Sequence, residues 1–388
     1  MNSMVLPVKS PYGAKEGVGI LPIKIAAIYG TRPEAIKLAP IARLLAHHPQ
    51  VAYQGINTGQ HDNLMPTIME KFGLPPPLNL GLLAPGQTLL ELQVRLLQEL
   101  PLVLHQASPH AVIVQGDTAT AFVASWAAFH DSIPLAHVEA GLRTYRPHAP
   151  FPEETYRRTI STFSTWNFAP TKRAAQNLIR EAAPGDVIIT GNTVVDALHA
   201  ILSWNLPICA YLPPKKKLYR VIATIHRREN FPHVPVLFKA LAEVAEDPAI
   251  EVYMPLHPNP KITSGATTWL SHTKVQLIPP MDYPDWIRFM QTADILVSDS
   301  GGIQEEAPIL GIPLLILRTE TERPEVLWGN HALLVGYNPR VIIETIHKTL
   351  RGKRAFKRGS PFGDGKAAQR IVDHLMKDLR VKLRNESR

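Results

Sequence analysis

Short apolar runs alternate with longer amphipathic stretches along almost the whole chain, and few architectures accept that rhythm. The runs fall at 23–29, 51–57, 111–115, 134–138 and 166–168, and a second series begins beyond residue 191 at 221–224, 251–254, 275–278, 295–298 and 313–317. A continuous apolar run suits a strand buried on both faces, as in a parallel sheet. The stretches between, such as 35–46, 88–105, 119–130 and 193–202, suit the crossover helices that cover it. Two series imply two doubly wound, Rossmann-like α/β domains, with their strand ends facing a cleft. The expected boundaries are 22–191 and 192–366, with 212–217, rich in Pro and Lys, lying shortly after the join. Residues 1–21 read as a flexible extension, and 367–388 as a final helix that packs back on the first domain.

The chain has 388 residues, enough for two cores, and a net charge of +8. That charge sits in one place. Residues 351–388 hold 12 Lys and Arg against 4 Asp and Glu, and the remainder is neutral. A solvated basic helix explains this without nucleic acid, and no nucleic-acid partner is expected. The single cysteine, Cys209, excludes an intrachain disulfide and points to the cytoplasm. No apolar run has the length of a membrane span, and residues 1–21 lack the apolar core of a signal peptide. There is no Walker A sequence, no Gly-x-Gly-x-x-Gly after the first strand and no Cys/His cluster. Neither a metal nor a nicotinamide is therefore expected, nor any other cofactor.

Polar residues of interest follow the strands, where open α/β sheets bind ligands. The block Ser298-Asp299-Ser300-Gly301-Gly302-Ile303-Gln304-Glu305-Glu306 reads as strand, glycine turn and helix start. Bare glycines at the positive end of a helix favour an anion lying against the backbone, best a diphosphate. Glu306, one turn further in, suits ribose hydroxyls. Arg32, at the first strand–helix turn, and Lys37, a turn later, are cations placed to meet a phosphate. His226, beside Arg227 and Arg228, is a further donor. Asp117, Glu139 and Glu153 are carboxylates whose grouping would spread their pKa values, as acid/base work requires. A helix cap for Asp117 and a dipole partner for Glu153 remain equal readings from these residues alone.

Taken jointly, these motifs resemble the non-hydrolysing UDP-N-acetylglucosamine 2-epimerases. The resemblance rests on Gly30-Thr31-Arg32-Pro33-Glu34-Ala35-Ile36-Lys37, Gly59-Gln60-His61, Gly116-Asp117-Thr118 and His137-Val138-Glu139-Ala140-Gly141-Leu142-Arg143-Thr144. It continues in Pro152-Glu153-Glu154, Gly191-Asn192-Thr193, His226-Arg227-Arg228-Glu229, the Ser300 block and Thr321-Glu322-Arg323-Pro324-Glu325. It implies a glycosyltransferase-B-like fold, a homodimer, and reversible conversion of UDP-GlcNAc to UDP-ManNAc. UDP would leave across C1–C2 to give a 2-acetamidoglucal and add back with a proton on the other face. By the same resemblance Asp117, Glu139, Glu153 and His226 are catalytic. Arg32, Lys37, Ser300, Gly301, Gly302, Glu306 and Arg323 bind substrate, and Gln60, Arg227 and His257 form a possible activator site. Asp62 and Asn63 stand where activated members carry Arg then Gln or Glu, and Met281 where a Gln is common near the uracil. A glycosyltransferase of the same fold, an enzyme acting on a modified UDP-sugar and a sensor without turnover are the competing functions.

Overall fold

The computed structural model describes residues 22–59, 69–84, 86–204, 212–225, 227–256 and 260–386. The chain forms two compact units. One takes the chain up to Ala197 and again from Gly363; the other is Leu198–Phe362.

In chain order the first unit holds β1 (Ile23–Tyr29), α1 (Arg32–His47), β2 (Val51–Asn57), β3 (Leu78–Asn79), α2 (Leu89–Ala107), β4 (Ala111–Gln115) and α3 (Ala119–His130). It continues through β5 (Leu135–Val138), α4 (Glu153–Phe163), β6 (Trp166–Ala169), α5 (Lys172–Arg180), β7 (Asp186–Ile189) and α6 (Thr193–Ser203), in which the chain leaves the unit. All strand pairs are parallel, in the order β3-β2-β1-β4-β5-β6-β7. The order reverses between β1 and β4, which opens a crevice beyond their carboxyl ends. Helix α2 turns Leu92, Leu96, Leu100 and Leu104 inward at one-turn spacing. Each such leucine is worth roughly 1.5–3 kcal/mol when fully buried.

The second unit repeats the plan with β8 (Tyr219–Thr224), a short 3-10 turn (Arg228–His233), α7 (Val234–Ala245), β9 (Ile250–Pro255), α8 (Pro260–Leu270), β10 (Gln276–Ile278) and α9 (Tyr283–Gln291). Then come β11 (Ile295–Ser298), α10 (Gly301–Leu310), β12 (Leu314–Ile316), α11 (Glu325–Trp328), β13 (Ala332–Leu334) and α12 (Pro339–Leu350). Its sheet order is β10-β9-β8-β11-β12-β13, with the switch between β8 and β11. The last helix, α13 (Ala367–Glu386), belongs to the first unit. It buries Ile371, Leu375 and Leu379 and lies against α1, and Trp166 Nε1 donates to Asp378 Oδ2 at 2.9 Å.

The ten interior and flanking runs read from sequence all become strands. Three strands were not foreseen: β3, β7 and β13. Each lies at the edge of its sheet. An edge strand is not held to burial on both faces, so its runs are shorter and weaker, as in the three-residue runs 187–189 of β7, which has no buried residue, and Ala332–Leu334 of β13.

Candidate active site

In the first unit the candidate residues gather at the switch point. Thr31 caps α1, and Arg32 is its first residue, half-buried. Asp117 follows Gly116, whose φ of +73° turns the chain out of β4, and Thr118 caps α3 by accepting the Ala121 N–H at 3.0 Å. Asp117 keeps about a quarter of its side chain in solvent and pairs with Arg157 at 2.5 Å. Arg157 stands on α4 one turn beyond Glu153, so a single guanidinium ties Asp117 to the helix that carries Glu153. The neighbouring Glu154 is spent on structure: buried, it accepts the Thr144 and Tyr145 N–H groups at 3.1 and 2.9 Å.

Glu139 leaves β5 in the left-handed region, at φ +68°, where a side-chain-bearing residue is strained. Its surroundings hold it there. Oε2 takes the Lys37 ammonium, Gln115 Nε2 at 2.8 Å and Asn192 Nδ2 at 3.3 Å. Gly141, two residues on, is required by packing, since a Cβ there would lie 2.2 Å from the Ala174 carbonyl oxygen. Lys37 is itself buried, so its charge is directed at Glu139. Beneath this loop His137 is wholly buried and its Nε2 donates to the Gly116 carbonyl at 2.8 Å. Burial pushes His137 down to about 4, so it is neutral at physiological pH.

The second unit builds an anion cradle. Ser300 is the N-cap of α10, and its own N–H donates to Ser298 Oγ at 3.0 Å. Gly301 brings the backbone close to two arginine side chains. A Cβ on it would come within 2.9 Å of Arg323 Nη1 and 3.1 Å of Arg227 Nη2, so two guanidinium groups stand over the helix start. Three guanidiniums share two buried carboxylates here. Arg323 pairs with Glu305 at 2.6 Å and with Glu322, Arg318 with Glu322 at 2.8 Å, and Arg227 with Glu322 at 3.4 Å. The Arg323 and Arg227 guanidiniums at the helix start and the helix dipole both suit a polyanion. Glu306 lies beside Gly302, and Tyr283 donates its hydroxyl to Glu306 Oε1 at 2.6 Å. Met281 is half-buried, just before α9.

The fold therefore assembles Asp117, Glu139, Lys37 and Glu153 with Arg32 in one unit, and Ser300, Gly301, Gly302, Glu306, Arg323 and Arg227 in the other. His226, Gln60 and His257 lie outside the described residues, as do Asp62, Asn63 and Cys209. Sequence reasoning missed Arg157, although it stands one helical turn from Glu153. It also missed Asp299, which is buried and accepts both the Arg227 N–H at 3.0 Å and Asn230 Nδ2 at 2.7 Å. Asn230 also donates to the Leu317 carbonyl at 3.1 Å, so these two residues pin the Arg227 loop to the Ser300 turn. Only the position of Asp299, a carboxylate ending an apolar run, hinted at this.

Two parallel α/β units with ligand-ready switch points define a glycosyltransferase-B-like fold. The chain superposes on the glycosyltransferase SnogD from Streptomyces nogalater with a TM-score of 0.52 at 14% identity, over 91% of this chain and 94% of that one, a likeness of fold. Nearer likenesses are far stronger. The family model for UDP-N-acetylglucosamine 2-epimerase matches residues 43–376, and the chain belongs to that family. It is 37% identical to the Escherichia coli K12 UDP-N-acetylglucosamine 2-epimerase over 382 residues, covering 93% of this chain and all of the relative. The crystal structure of the Neisseria meningitidis UDP-GlcNAc 2-epimerase bound to UDP-GlcNAc aligns with a TM-score of 0.86 at 37% identity, over 91% of this chain and 100% of that one.

Proposed function

We propose that the chain interconverts UDP-GlcNAc and UDP-ManNAc by eliminating UDP across C1–C2 and adding it back through a 2-acetamidoglucal. The observation that carries the reading is the pair of carboxylates, Asp117 and Glu139, at the ends of adjacent strands β4 and β5, each held by its own cation. A base takes the C2 proton. The C1–O bond then breaks, its electrons leave with the diphosphate, and the C1–C2 double bond forms. Re-addition reverses these steps with the proton delivered to the other face of C2. Glu139 is fixed at Oε2 by an ammonium and two amides, which hold the carboxylate in one orientation. Asp117, beside Arg157 and in contact with solvent, stands at the carboxyl end of β4 as the second carboxylate of the set. Glu153 and His226 complete the acid/base set. The Ser300–Gly302 helix start with Arg323 and Arg227 would take the departing diphosphate, and Glu306 the ribose.

Incubation with UDP-GlcNAc in heavy water, followed by NMR, tests this. UDP-ManNAc bearing deuterium at C2 is the expected product. Retained C2 hydrogen would rule out elimination, free sugar plus UDP would indicate a hydrolase, and no change would indicate a transferase or sensor. Asp117→Asn, Glu139→Gln and Glu153→Gln should each lower turnover by about a hundredfold or more while UDP binding survives. Homodimerisation is proposed on the family resemblance and is read by sedimentation equilibrium. Among the described residues no helix is long and apolar enough to cross a membrane. A cytoplasmic location is proposed on the single cysteine.

A further inference from the structure

The β1–α1 loop carries Arg32 and the β4–α3 loop carries Asp117, and one side chain between them has no part in the chemistry above. Glu34, in the first turn of α1, is 1% exposed. Its Oε2 accepts the Gly30 N–H at 3.1 Å, the Thr31 N–H at 2.8 Å and the Thr31 hydroxyl at 2.7 Å. Its Oε1 accepts the Thr118 hydroxyl at 2.6 Å, from the residue next to Asp117. A helix cap needs only the first three bonds. The fourth crosses to a different loop, 84 residues away in sequence, and fixes the start of α3 against the start of α1. Thr118 Oγ1 is used twice, donating to Glu34 and accepting from the Ala121 N–H.

We propose that Glu34 is a positioning residue that locks the Asp117 loop to the Arg32 loop, so that proton transfer and substrate grip share one frame. This rests on the roles given above to Asp117 and Arg32. A carboxylate buried among neutral donors is costly to keep, and a surface cap would hold the helix as well. The position is therefore explained by what the second oxygen reaches. Misplacement of a reacting group by about 1 Å can cost about a hundredfold in rate, which sets the scale of the effect.

The test compares Glu34→Gln, Glu34→Asp, Thr118→Val, Thr118→Ser and the Glu34→Gln/Thr118→Val pair in the full chain. For the fraction that is folded, judged by circular dichroism, Glu34→Gln and Thr118→Val should each lower kcat by roughly tenfold to a hundredfold, with KM changed far less. Thr118→Ser, which keeps the hydroxyl, should restore kcat. Glu34→Asp, too short to reach both loops, should behave like Thr118→Val. The double variant should be little worse than either single one, because both remove the same tie. Unchanged kcat in folded Glu34→Gln, or full additivity, would overturn the proposal and leave Glu34 a structural cap. If Asp117→Asn retains wild-type activity, the catalytic reading itself fails. The tie is then judged by the Asp117 carboxyl titration in 13C NMR. Glu34→Gln must shift it, and an unshifted titration overturns the tie as well.

Discussion

Two helices of the first unit start with the same local device and use it for different ends. In both α1 and α2 a Thr is the N-cap, and a Glu three residues on accepts the backbone N–H and the hydroxyl of that Thr. The pairs are Thr31 with Glu34 and Thr88 with Glu91. Glu91 is exposed, and its carboxylate is held below the ordinary range by the Thr88 backbone and hydroxyl donors. Glu34 has the same donors plus two more, yet burial outweighs them all and pushes it from 4.5 to about 7. A four-residue motif thus specifies a helix start, while its electrostatic character is set by what the fold lays over it. Where the fold keeps a carboxylate at that cost, the second oxygen has a distant partner.

The largest break of this comparison is catalytic. Glu91→Gln should leave kcat within about twofold of wild type, whereas Glu34→Gln carries the loss described above. Equal effects on kcat, measured side by side, would show that the two caps do the same job.

The next is the pH dependence of stability, where the two carboxylates have opposite signs. Glu34 titrates higher when folded, so its contribution is present below about pH 4.5 and is lost as pH rises through about 7. Glu91 titrates lower when folded, so its contribution is present above about 4.5 and lost on acidification. His137, pushed from 6.5 to about 4, is stabilising above about pH 6.5, and that contribution is lost as pH falls toward 4. Glu34 and His137 therefore offset each other between about pH 4.5 and 6.5. Each contributes about 3 kcal/mol, since a tenfold change in proton affinity is worth about 1.4 kcal/mol. Urea unfolding at several pH values reads this directly. Relative to wild type, Glu34→Gln should gain stability as pH rises from 5 to 8 and should expose the acid-side loss due to His137. Parallel curves for the two proteins would mean that Glu34 is not buried in its ionised form.

The smallest effect concerns the exposed cap alone. Thr88→Ala should cost about 1 kcal/mol in urea unfolding and nothing in kcat. A catalytic loss in that variant would show that α2 also communicates with the site.

How much of this was legible follows the same division between local and distant causes. Interior strands such as 111–115 and 295–298 were readable because burial on both faces imposes an apolar run. The edge strands Leu78–Asn79, Asp186–Ile189 and Ala332–Leu334 carry no such constraint. Helix α5, Lys-Arg-Ala-Ala-Gln-Asn-Leu-Ile-Arg, is short and buries only Ala174, Ala175, Asn177 and Leu178, so it has no long apolar stripe to mark it in the sequence. Asp117, Glu139 and Ser300 drew attention because they end apolar runs. The pairings around them did not show: Arg157 with Asp117, Asn192 with Glu139, Glu322 with three arginines and Asp299 with Asn230 form only when the fold brings these residues alongside. Lys37 could be seen as a cation near the first turn, but only the fold shows that its ammonium meets Glu139.

The return of α13 to the first unit has a consequence for biosynthesis. The second unit is contiguous in the chain, whereas the first is finished only when residues beyond Gly363 emerge from the ribosome. Until then the face of α1 that α13 covers lacks its cover, while the residues of the second unit's core are all present. The half that begins first in the chain thus needs the last residues made to complete it, while the second unit is contiguous.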